Sequence, residues 1–220
     1  MPLPGLRAWH EDPLWASIYD WTVEHGRLGG ALWRIGIGSD LGLLYEAAEE
    51  IGRQPAGARI LDMPCGGGVA LRGLTQGQGV SYVAADIARE MLDRTMHAAH
   101  ERGVADQVEA RVADVATLPF ADGDFDLVVS FTGLHCFPDP HRALTEMVRV
   151  LRAGGVITGS AVLNDTGLRF EPMRRIGRAA NLLGPSCTRA ELESWLAALG
   201  VSGVTLRTSG AICYFRGVRS

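Results

Sequence analysis

The chain lacks the features that mark several protein classes. Its four cysteines, Cys65, Cys136, Cys187 and Cys213, are scattered with no C-x-x-C pair. That spacing argues against a disulfide framework or a zinc site and points to a reducing, cytoplasmic compartment. No metal is expected: His97, His100 and Glu101 share a helix face, but that face reads as solvated. No stretch approaches the roughly 18 uninterrupted apolar residues of a membrane span. The opening Met1-Pro-Leu-Pro-Gly-Leu-Arg lacks the basic segment and apolar run of a signal peptide, so no cleaved leader is expected. Positive charge is not in excess either: 21 Lys+Arg against 25 Asp+Glu leave a net charge of −4. This balance argues against a surface that grips nucleic acid by its phosphates. Aromatics make up only 7% of the chain, yet Trp9, Trp15, Trp21 and Trp33 are four of its five tryptophans.

What is present is a globular mixture, 220 residues with 47% hydrophobic and 21% charged, enough for one domain and an appendage. Asp12-Pro13 starts a helix expected to reach His25, because Asp caps free N–H groups and Pro is tolerated in the first turn. A glycine-broken apolar stretch follows to Gly38, an easily bent segment. Ser39 is the expected cap of a helix from Asp40 to Ile51, where Leu41, Leu44, Tyr45, Ala48 and Ile51 recur at helical spacing.

From Arg59 the pattern alternates. Strands are expected at 59–63, 81–86, 108–112, 125–131 and 155–162. Helical segments are expected at 69–75, 89–102, 140–151 and 188–199. A hairpin of 204–209 and 212–218 closes the chain. Such alternation implies a doubly wound α/β fold with a mostly parallel sheet, here seven strands with an antiparallel C-terminal strand. The expected organisation is an N-terminal helical cover over 1–54 and a core over 55–220.

Candidate chemistry lies at the carboxyl ends of these strands, where open α/β sheets bind ligands. Leu61-Asp-Met-Pro-Cys-Gly-Gly-Gly68 ends the first strand in a turn that lets backbone approach a ligand closely. Asp86 ends the second and can accept both hydroxyls of a ribose. Asp114 follows the third and can accept from an adenine amino group. Ser130 and Phe131 end the fourth, and His135 follows it. Each feature alone has an ordinary structural explanation, as a plain turn, a helix cap or a loop residue. Four in order along one edge are harder to explain that way.

In these residues the chain resembles the class I S-adenosylmethionine-dependent methyltransferases. The resemblance rests on Ile60–Gly68, Ala85-Asp-Ile87, Ala113–Phe120, Phe125–Ser130 and Leu151-Arg-Ala-Gly-Gly155. Pro64 departs from the family's first motif, which has glycine there. The resemblance implies S-adenosylmethionine as cofactor and a Rossmann-like core. It places Asp62, Cys65, Gly66 and Gly68 at the methionine part, Asp86 at the ribose, and Ile87 and Met91 beside the adenine. Asp114 and Val115 would address the adenine edge, with Ser130, Phe131 and His135 facing the methyl group. It also favours the branch acting on quinones and natural products.

The expected partner is an apolar or aromatic small molecule, with no nucleic acid and no membrane span; a homodimer is allowed. The tryptophan-rich start and the segment 163–185 are two apolar covers for such an acceptor. Arg174, Arg175 and Arg178 at helical spacing read first as a solvated face, and second as a grip on an anionic substrate group. His135 reads first as a residue that packs against the cofactor or caps the following turn, and second as the candidate general base for an oxygen or carbon acceptor. Two alternatives stay open. One is a nicotinamide-dependent oxidoreductase, although Leu71 stands where its fingerprint has a third glycine. The other is a non-catalytic cofactor-binding module.

Overall fold

A computed structural model describes Gly30, Trp33, Arg34 and residues 36–220. The helix expected from Asp12 to His25 lies outside the described residues, as does most of the proposed cover.

Seven strands build one sheet: β1 (Arg59–Asp62), β2 (Ser81–Asp86), β3 (Val108–Val112), β4 (Phe125–Phe131), β5 (Leu151–Val162), β6 (Val201–Ser209) and β7 (Ile212–Arg219). Their order is β3-β2-β1-β4-β5-β7-β6. Neighbours among the first five pair in parallel, and β7 runs antiparallel to both β5 and β6. This is the fold the strand and helix pattern implied. Strand β5 starts earlier than expected because Phe125 pairs with Leu151 before the register shifts to Leu127 against Val156. The intervening Arg152-Ala-Gly-Gly155 is an irregularity within a strand, which a glycine pair disguises as a turn.

The helices are α1 (Leu41–Gly52), α2 (Arg89–Glu101), α3 (Pro140–Val150), α4 (Glu171–Ala179) and α5 (Arg189–Ala198). Alternate residues of β1 face opposite sides, as a strand requires. Ile60 joins Leu44, Ile51 and Leu92 from α1 and α2 on one face. Leu61 joins Leu144, Met147 and Leu192 from α3 and α5 on the other. Asp139 caps α3 by accepting from Arg142 N at 2.9 Å, and Thr188 and Glu191 form a capping box on α5.

The cap of α1 is one residue later than expected. Asp40 has the extended backbone of a cap and accepts from Gly42 N at 2.9 Å. Ser39 is instead buried, 3.3 Å from the Tyr214 hydroxyl. One member of the basic stripe of α4 departs from its expected solvated role, while Arg175 is exposed as expected. Arg174 is only 2% exposed, and its guanidinium donates to Glu171, Thr166 and the carbonyls of Leu163 and Gly167. It ties the segment after β5 to itself rather than facing solvent.

The strand order positions the site. From β1 the chain runs outward through β2 to β3, then returns to β4 on the other side of β1. The loops leaving β1 and β4 therefore diverge and leave a crevice at their carboxyl ends. The described N-terminal residues reach this same edge. Ala211 N donates to Ile37 O at 2.8 Å, and Asp40 N to Ser209 Oγ at 3.1 Å. The turn they meet precedes Ile212, which pairs with Val162 at the end of β5. Trp33 is 6% exposed, in the same buried cluster as Phe131 and Val162.

Candidate active site

The loop after β1 is stitched to the strands on both sides. Met63 N donates to Val129 O of β4 at 3.0 Å, and Cys65 N to Ala85 O of β2 at 2.9 Å. Gly66 and Gly68 have φ of +50° and +87°, which explains glycine at both. A Cβ at Gly66 would meet nothing within 4 Å, so this turn borders open space. The Met63–Pro64 peptide is cis. The expected helix after the loop is only a 3-10 helix, Val69–Gly73. It is held against α1 so closely that a Cβ on Gly73 would lie 1.9 Å from Ala48 O.

Two carboxyl groups converge here. Asp86 accepts from Gly66 N at 3.1 Å through Oδ2 and from Ala88 N at 3.0 Å through Oδ1. It thereby fixes the glycine loop against the end of β2. Asp62, 1% exposed, accepts from the Tyr82 hydroxyl at 2.7 Å. Burial pushes the Asp62 carboxyl up to about 8, against the lowering effect of the Tyr82 bond and with a further push from Asp86. Burial also raises Asp86, opposed by the N–H groups of Ala88, Gly66 and Ile87. Cys65 is raised by burial and by both carboxylates. All 21 basic residues of the chain are arginine, and among the described residues none pairs with Asp62 or Asp86. The crevice therefore gathers two buried carboxyl groups with no counter-charge among the described residues.

The loop after β4 forms the other wall. Thr132 has φ +53°, a conformation uncommon for a β-branched residue and often found at functional sites. Its N–H donates to Ser160 Oγ at 3.0 Å. Gly133 lies against the Pro64 ring, so the two walls touch. The buried Ser130 Oγ has no hydrogen-bond partner. Phe131 packs into the core cluster shared with Trp33. His135 is buried, and its Nδ1 accepts from Val162 N at 3.0 Å. That bond places the neutral ring's proton on Nε2, so the imidazole is a donor, not a base, in this state. Burial lowers its pKa to about 4. We therefore expect the pH–rate profile to show no His135 inflection between pH 5.5 and 7.5. His135→Gln, which keeps an acceptor for Val162 N, should preserve the profile's shape.

On the far side, Ile87 is 63% exposed beside Asp86 while Met91 is buried in the first turn of α2. Asp114 is exposed and accepts from Ala116 N at 2.9 Å, and Val115 beside it is buried. Asp62, Cys65, Gly66 and Asp86 are thus joined directly or through one shared contact. Asp114 and Phe131 are not hydrogen-bonded to that group. On α2, His97 pairs with Glu101 at 3.3 Å with both side chains exposed.

Two members of the site escaped sequence reasoning. Tyr82 looked like a strand core residue. Thr95 of α2 is fully buried and donates to Gly66 O at 2.7 Å and toward Cys65 Sγ at 3.4 Å. Its signal was present: a lone hydroxyl interrupts the buried stripe Met91, Leu92, Ala98, Ala99.

Fold and site together fit a doubly wound protein that takes a cationic, adenosine-type cofactor at its switch point. A pyrophosphate-bearing dinucleotide fits worse, since it would face two acidic side chains with no basic partner among the described residues. The comparisons agree. Residues 61–158 match the family described as methyltransferase domain. An uncharacterized chloroplastic methyltransferase of Arabidopsis thaliana is 33% identical over 132 residues, 58% of this chain and 36% of that protein. The 27-O-demethylrifamycin SV methyltransferase of Amycolatopsis mediterranei is 33% identical over 100 residues, 46% of this chain and 37% of the relative. A solved geranyl diphosphate methyltransferase in complex with S-adenosylmethionine has a TM-score of 0.68 at 18% identity, covering 98% of this chain and 97% of the other. That likeness shows the fold. The chain spans only 36% to 47% of the length of the first curated relatives it matches. Residues 61–158 are thus similar to methyltransferase domains, and the fold is the one seen in the solved methyltransferase.

The cofactor of this family is S-adenosylmethionine, and three features of the site fit it. Among the described residues two buried carboxyl groups lack a cation, which its ammonium and sulfonium can supply. Ile87 offers an exposed apolar surface next to Asp86. Ser130 Oγ is a buried polar atom still in need of a partner.

Proposed function

We propose that the protein transfers a methyl group from S-adenosylmethionine to an oxygen, carbon or nitrogen atom of an apolar or aromatic small molecule. The observation that carries this is the uncompensated Asp62–Asp86 pair beneath an open glycine turn at the β1/β4 switch. When bound, the cofactor supplies an already electrophilic sulfonium methyl. The protein's part is to hold and shield. Asp86 takes the ribose hydroxyls, Asp62 the amino acid end, and Ile87 and Met91 flank the adenine, with Asp114 and Val115 at its edge. Cys65, Gly66 and Gly68 line the methionine chain. Ser130, Phe131 and His135 stand toward the acceptor side.

Alignment of donor and acceptor at about 3–3.5 Å can contribute up to ~7–11 kcal/mol without a protein base. The N-terminal segment and residues 163–185 serve as covers, excluding water from an apolar acceptor. The contacts of Ile37, Gly38 and Asp40 with the 209–211 turn and Phe170 support this placement. The four free thiols support a reducing, cytoplasmic setting. Among the described residues no helix is long and apolar enough to cross a membrane.

The test is incubation with methyl-labelled S-adenosylmethionine and a panel of phenols, quinols, terpenoid alcohols and amines. Label in an apolar or aromatic product supports the proposal. Label only in protein or nucleic acid, or none in the presence of bound cofactor, overturns it.

A further inference from the structure

The diagonal contact between Tyr82 and Asp62 goes beyond what the family motifs assign. The parallel register sets Ile60 opposite Tyr82 and Asp62 opposite Ala84. The long Tyr82 side chain leans along β2, and its hydroxyl reaches Asp62 Oδ2 at 2.7 Å. Tyr82 is fully buried, and among the described residues its hydroxyl makes no other hydrogen bond. Among the described residues Asp62 has no second side-chain donor and no cation.

The groups facing Asp62 can be named element by element. Strand β2 brings Tyr82 and, at its end, Asp86; the glycine loop brings Cys65. Helix α2 brings Thr95, which is bonded to the loop. Arg72 of the 3-10 helix lies over the Tyr45 ring of α1, at 4.8 Å. Among these described groups none supplies Asp62 with positive charge. Burial and the neighbouring Asp86 favour its acid form, and the Tyr82 hydrogen bond alone favours its carboxylate.

We infer that Tyr82 is a positioning residue that keeps Asp62 ionisable: in the ligand-free crevice Asp62 is an uncharged acid, and it gives its proton to solvent when it takes the donor's ammonium. The inference rests on the methyltransferase reading and adds a proton to its binding step. One O–H bond of Asp62 breaks, the proton passes to buffer, and an ion pair with the ligand's ammonium replaces it. Without the Tyr82 hydroxyl the acid form is favoured further, so binding weakens most at low and neutral pH.

The test is calorimetry with S-adenosylhomocysteine, which keeps the ammonium and lacks the sulfonium. It is run from pH 6 to 9 in buffers of different protonation heat. Wild type should release close to one proton per ligand at pH 7, and Asp62→Asn none. Tyr82→Phe should bind roughly tenfold or more weakly at pH 7 and recover toward wild type as pH rises. A tyrosine that merely packs would leave the pH dependence of affinity unmoved.

Ligand-free stability gives an independent measurement. A folded-state pKa above the unfolded one stabilises at low pH, and that stability is lost as pH rises. Wild type should therefore lose stability relative to Asp62→Asn between about pH 4 and the folded-state value of about 8. This difference does not require Tyr82→Phe to fold. No proton release by wild type, or identical pH profiles for wild type and Tyr82→Phe, overturns the inference alone. Failure of wild type to bind at any pH overturns the methyltransferase reading with it.

Discussion

Asp86→Ala is expected to weaken S-adenosylmethionine binding by a factor of about 10² to 10⁴ while leaving a folded protein. The range follows from losing two hydrogen bonds from a carboxylate to ribose hydroxyls, each worth ~1.5–3 kcal/mol. The effect on folding is smaller because Asp86 sits at the rim of the sheet. Its own bonds reach the backbone N–H groups of Gly66, Ile87 and Ala88, in two exposed or half-exposed turns. Asp86→Asn keeps an acceptor oxygen but not the charge, so its affinity should fall between wild type and alanine. Calorimetry with thermal melting of the same samples separates binding from stability. Equal affinity for wild type and a folded Asp86→Ala would refute the ribose assignment.

The second large effect concerns the contact between the two walls. A Cβ at Gly133 would lie 2.1 Å from Pro64 Cδ, 2.8 Å from Pro64 Cγ and 3.0 Å from Ser130 Oγ. Gly133 itself has φ −95° and ψ −44°, a conformation alanine accepts, so the penalty is steric. Gly133→Ala should therefore cost about 1–3 kcal/mol and weaken cofactor binding, because relief requires the two loops to move apart. The clash names its own remedy. Pro64→Gly restores the residue usual in the family's first motif and removes the ring. The double variant should recover much of the loss, with a coupling of roughly 1 kcal/mol or more in a double-mutant cycle. Strictly additive effects on melting and affinity would show that the walls do not touch as described.

These two residues also show how far a sequence can be followed. Asp86 was legible because it ends an apolar run and precedes a helix, and that local pattern fixes its place at the carboxyl edge. The complementarity of Pro64 and Gly133 was not, since it depends on how close β1 and β4 come together. Pro64 appeared only as a departure from a motif. Tyr82 illustrates the same limit: its partner depends on the register of β1 against β2, which neither strand's composition states. The start of α3 was readable because Asp139-Pro140 joins a capping side chain to a first-turn proline. At Ser39-Asp40 two good caps compete, and tertiary contact with Tyr214 decides between them. Arg174 misled because helical spacing says which residues share a face but not what folds back over it. The hydrogen bonds of Arg174 to the 163–167 turn supply that missing information.

The central claim is that the crevice between β1 and β4 is a site for S-adenosylmethionine, and titration calorimetry tests it most directly. The purified protein is titrated separately with S-adenosylmethionine, with its demethylated product and with oxidised and reduced nicotinamide dinucleotides. The account predicts one site per chain for the first two, with affinity on the order of micromolar, and no measurable heat for the dinucleotides. Saturable binding of a nicotinamide dinucleotide with no binding of S-adenosylmethionine would contradict it.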